Sequence, residues 1–91
     1  MTQIAVPEGQ ALLNITWAGQ TGDLPDPVDF QATDADIKAW AQETVRTTGI
    51  PGIAADPAAS FTDFVVERYA ATQDRPYSIL QLRPKTPFGG V

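Results

Sequence analysis

The chain has 91 residues, a formal net charge of -5, 43% hydrophobic residues, and neither cysteine nor histidine. That length holds one domain core, the aromatic content argues against disorder, and the acidic balance opposes binding to nucleic acid or anionic membranes. Without Cys or His there is no disulfide, no Ser-His or Cys-His pair and no zinc cluster, so the expectation is a cytoplasmic protein that is not an enzyme and has no cofactor.

Residues 1–10 read as a flexible leader with neither the basic start nor the apolar run of a signal peptide, and it ends on the Pro7-Glu8-Gly9 turn signal. From Ala11 to Ala18, Leu13, Ile15 and Trp17 alternate with Asn14 and Thr16, the period of a strand with one buried face. Gly19 to Asp26, with two glycines and Pro25, reads as a loop rather than a tight hairpin turn. A second short strand is expected at Val28 to Gln31, with Pro27 at its start.

Thr33 can cap a helix, with Asp36 three residues on and Asp34 and Asp36 at the positive end of the helix dipole. Ile37, Trp40, Ala41, Thr44 and Val45 then fall on one stripe, which assigns Ile37 and Trp40 to the core. Gly49 and Pro51 end the helix near Thr48, and Ile50 is expected to fold back on Val45. Gly52 to Ser60 reads as a surface loop with at most one helical turn.

Phe64 to Tyr69 forms a strand, with a start as early as Phe61 left open and its faces unassigned. After a polar connection, Tyr77 to Arg83 forms the last strand, with Tyr77, Ile79 and either Leu82 or Leu80 defining its faces according to any bulge. The order strand, strand, helix, strand, strand implies a two-layer α+β domain over residues 11–83 and a tail over 84–91. Periodicity leaves the strand pairing open, a ferredoxin-like half-domain included. Asp23, Asp26 and Asp29 lack the donor density of a calcium loop, so no metal is assigned. Trp17 is assigned to the core, although a strand end is also where an edge aromatic meets a partner.

From Leu12 to Gly90 this pattern resembles the ubiquitin (β-grasp) family. A strand pair precedes a helix opening at Thr33-Asp34 and leaving at Gly49-Ile50-Pro51, and a last strand ending Leu80-Gln81-Leu82-Arg83 leads to Gly89-Gly90. The character is nearer to bacterial ubiquitin-like modifiers than to eukaryotic ones. The resemblance implies a mixed sheet packed against one helix, with the last strand central beside the first. It further implies that a partner of the E1 type would use ATP to activate the Gly90 carboxylate, with an E2-type conjugating enzyme, or sulfur-carrier chemistry, downstream.

By the same resemblance Gly89 would let the tail thread into the partner, since residues without Cβ take the conformations a narrow channel requires. Val91 would need removal, by a peptidase of the JAB type. Arg83 is followed by Pro84-Lys85-Thr86-Pro87-Phe88 rather than directly by the glycines, a longer and stiffer linker than ubiquitin has. Arg83, Lys85 and Phe88 are therefore candidate partner contacts, the two cations by steering the tail toward carboxylates. The alternative is a β-grasp interaction or adaptor domain that is never conjugated and acts through an exposed sheet face.

Overall fold

The alternation in the first strand carries the whole sheet. The computed structural model describes residues 6–85. In β1 (Gln10–Trp17), Ala11, Leu13 and Ile15 are fully buried while Leu12, Asn14 and Thr16 point to the other face. β2 (Gln20–Asp23) returns antiparallel beside β1, pairing Trp17 with Gln20 and Asn14 with Asp23.

This hairpin occupies the segment expected to be a loop. Only Ala18 and Gly19 connect the strands, at φ 53 and φ 80, so both central residues lie in the left-handed region that a tight primed turn requires. Alanine seldom takes that conformation, which is why Ala18 carries no turn signal in sequence. β3 (Val28–Asp29) is shorter than expected and pairs with Gln10 and Ala11 on the same edge of β1 as β2. The Asp29 carboxylate ends it by accepting from the Gln31 N–H at 2.8 Å.

The helix α1 (Asp34–Thr47) starts where expected, with the Thr33 side chain accepting from the Asp36 N–H at 3.1 Å. It ends at Gly49, whose φ of 71 suits a residue without Cβ and whose N–H bonds the Thr44 carbonyl. Ile37, Ala41 and Val45 form its buried stripe. Trp40 does not join them: it is 41% exposed. At 3.6 residues per turn it lies roughly 100° from the middle of that stripe, too far round to reach the sheet.

β4 (Phe64–Tyr69) and β5 (Ser78–Pro84) pair antiparallel without a bulge, so Leu80 and Leu82 both face the helix. β5 in turn pairs parallel with β1, from Ala11 beside Ser78 to Ile15 beside Leu82. The main path of the five-stranded sheet is therefore β2-β1-β5-β4. One helix against this mixed sheet is a β-grasp-like α+β architecture, and it selects among the topologies that periodicity left open.

The segment after the helix is no mere surface loop. Ile50, Ile53, Ala59 and Phe61 are buried in the core. Phe61 stacks edge-on against Trp17 and Phe64, with centroids 5.3 and 4.9 Å away, and so supplies a buried aromatic to the core from outside the helix. Trp17 packs there as expected and gives its indole N–H to the Asp56 carboxylate at 2.8 Å. Two cations fasten the edges. The Arg68 guanidinium donates to the carbonyls of Phe30 and Ala32 and to Asp34, joining β4 to the start of α1, and Arg46 donates to the Ala59 carbonyl.

Candidate interaction surface and tail exit

Two features of the sheet bear on function: the face turned away from the helix, and the end where β5 releases the chain. On the open face the register aligns side chains in rows. Leu12, Ile79 and Tyr69 stand side by side across β1, β5 and β4. Leu12 and Ile79 are half-buried and Tyr69 is 42% exposed, so the row is an apolar strip across this face.

The adjoining row is Asn14, Gln81 and Glu67. Asn14 is oriented by its donation to the Asp23 carboxylate at 2.9 Å. Glu67 collects two donors, the Arg83 guanidinium and the Tyr69 hydroxyl. Chiefly the hydrogen bond from Arg83, and then that from Tyr69, hold the Glu67 carboxyl below its ordinary value. The same bond to Glu67 raises the Tyr69 phenol, because losing its proton would remove the donor and set two negative charges side by side.

Arg83 and Lys85 differ in their surroundings. Arg83 is bound to Glu67 on the sheet face, while Lys85 is exposed where β5 ends. Thr62 and Asp63 just ahead of β4, Phe64 and Val65 at its start, and Pro84 and Lys85 line a shallow groove of about 600 Å³ at this exit. Phe88, Gly89, Gly90 and Val91 lie outside the described residues.

Glu67 and Tyr69 escaped the sequence reading because Phe64, Val65 and Val66 are apolar on both faces, leaving the parity of β4 undefined. The register with β5 would have been needed to find them. Asp23 and Asp29 are committed to Asn14 and Gln31, and among the described residues no group of three or more acidic side chains is arranged to hold a metal ion. No helix among the described residues is long and apolar enough to cross a membrane. No protein family, curated protein or solved structure matches the chain.

Proposed function

We propose that the chain is a ubiquitin-like protein modifier whose reactive group is the Gly90 carboxylate, freed by hydrolysis of the Gly90–Val91 bond. The observation that carries this reading is the placement of β5. It lies inside the sheet between β1 and β4, runs parallel to β1, and ends at Pro84 with Lys85 exposed. The body therefore holds the last strand inside the sheet up to Pro84, with Lys85 following at one end of it. The five residues that follow Lys85, up to Gly90, would span at most roughly 17 Å when extended, a length suited to entering a partner's active site.

The chemistry in this reading belongs to the partners. A JAB-type peptidase removes Val91, and an E1-type enzyme joins the Gly90 carboxylate to the α-phosphate of ATP with release of pyrophosphate. A cysteine thiol of the E1-type enzyme then displaces AMP to form a thioester with Gly90, and the acyl group passes by thiol exchange to a cysteine of the E2-type enzyme, which frees the first thiol. The experiment is pyrophosphate release from a chain ending at Gly90, in the presence of an activating enzyme encoded beside its gene. Release that disappears in the chain still carrying Val91 supports the modifier; no release, while the enzyme accepts another modifier, refutes it.

A second reading, an interaction domain that is never conjugated, draws on the apolar row of Leu12, Ile79 and Tyr69. Intact mass from cells separates the two. A form ending at Gly90, or heavier adducts lost on Gly90→Ala, favours the modifier; Val91 retained throughout favours the interaction domain.

A further inference from the structure

The outer flank of α1 carries a feature that neither core packing nor the tail uses. Asp36, Trp40, Glu43, Thr44 and Thr47 recur at three- and four-residue spacing and so share one side of the helix. Trp40 is 41% exposed and forms, with Glu43, Thr44, Thr47 and Thr48, a groove of about 420 Å³. Thr47 and Thr48 give their hydroxyls to the Glu43 and Thr44 carbonyls, at 2.8 and 3.3 Å.

The helix's two cations lie on the other flank. Lys38 donates to the Thr62 carbonyl at 3.2 Å and Arg46 to the Ala59 carbonyl at 2.7 Å. The indole consequently has a carboxylate about one turn before it and another about one turn after it. An indole face attracts cations through its quadrupole, and flanking carboxylates reinforce that field. Guanidinium suits the site better than ammonium, being planar, weakly hydrated and able to stack on the ring. An exposed tryptophan beside a groove is also the residue type that dominates binding energy at interfaces.

We propose that Trp40, Asp36 and Glu43 form a docking site for an arginine-bearing segment of a partner protein. The site lies on the flank of α1 away from Thr62, and hence away from the groove at the tail exit, so it stands or falls independently of the modifier reading.

The test is a titration of the full chain with a synthetic peptide of alternating leucine and arginine, and with the same peptide carrying neutral citrulline in place of each arginine. The indole N–H resonances of Trp40 and Trp17 report the contact by NMR. The arginine peptide shifts the Trp40 indole and the surrounding helix amides, leaves the Trp17 indole in place, and binds roughly tenfold more tightly than the citrulline peptide. Trp40→Ala weakens binding of the arginine peptide by about tenfold without lowering the melting temperature, Trp40→Phe weakens it less, and the Asp36→Asn, Glu43→Gln double variant narrows the gap between the peptides. Equal affinity for the two peptides, unchanged affinity in Trp40→Ala, or shifts centred on Asp23, Asp26 and Asp29 would each overturn the proposal.

Discussion

The Trp17 indole and the Asp56 carboxylate, 39 positions apart, meet at 2.8 Å where the first hairpin touches the segment after the helix. Asp56 uses both oxygens: Oδ2 accepts from Trp17, and Oδ1 from the Ala58 N–H at 2.9 Å. Asp56→Asn keeps the shape but offers one acceptor oxygen for two donors, so one bond is lost. We expect a lower melting temperature and faster hydrogen exchange between residues 56 and 61, with the sheet centre protected. Trp17→Ala removes an aromatic that packs on Phe61 and Phe64 and should cost about 3 kcal/mol in a denaturant titration.

Acid should unfold the protein in part through Asp56 and Glu67. The Trp17 hydrogen bond, followed by that from Ala58, lowers Asp56 from its ordinary 3.8, and the Arg83 hydrogen bond, followed by that from Tyr69, lowers Glu67 from 4.5. Both folded values lie below the unfolded ones, so the unfolded chain binds more protons in acid. The stability from each group is complete above its unfolded value and is lost as pH falls through its folded value. Chemical denaturation across the acid range should therefore show a declining midpoint below about pH 4.5, the unfolded glutamate value. The Asp56→Asn, Glu67→Gln double variant should decline less steeply; an identical slope would remove these two groups from the account.

The parts of the fold legible in sequence were those governed by a single local period. The alternation of Leu13, Ile15 and Trp17, the Thr33 cap and the stop at Gly49 each follow from near neighbours. The first hairpin was not legible because its turn rests on Ala18 in a conformation that residue rarely adopts. The wide apolar stripe predicts Trp40 inward, whereas the buried core takes Ile37, Ala41 and Val45 from the helix and Phe61 from the following segment. Of the candidate site, the tail motif and the end of β5 were visible, while the partners of Arg83 depended on a register set across the sheet.

Close approach at Gly22 gives a sharper packing test. Gly22 is buried beside Ile15, and a Cβ there would lie 2.1 Å from the Pro51 carbonyl oxygen. The two nearest atoms are Pro51 backbone, which cannot rotate away as a side chain would, so Gly22→Ala must push the 50–52 segment off β2, at about 1–3 kcal/mol. Gly9→Ala is the control: its φ of 85 imposes strain, yet nothing lies within 4 Å of the added carbon. Hydrogen exchange should accelerate in β2 and around Ile50 for Gly22→Ala alone. Equal protection there in both variants would mean that the contact with Pro51 does not hold β2 in place.

Stability and proposed function should separate at the tail. Buried apolar side chains among the described residues run from Ala11 to Leu82, and the central strand that bears the tail is anchored by Leu80 and Leu82. The modifier reading requires a tail held clear of the body, so on that reading replacing Gly89 and Gly90 together by alanine is expected to leave the melting temperature within about 1 °C of the parent. Leu82→Ala, by contrast, should cost about 3 kcal/mol by opening a cavity beneath β5. On the modifier reading, the glycine variant loses pyrophosphate release because Cβ atoms obstruct the channel that must take the tail, while Leu82→Ala retains release at temperatures where it is still folded. The opposite pattern, with release surviving the double alanine change, would move the function from the tail to the surfaces of the folded body.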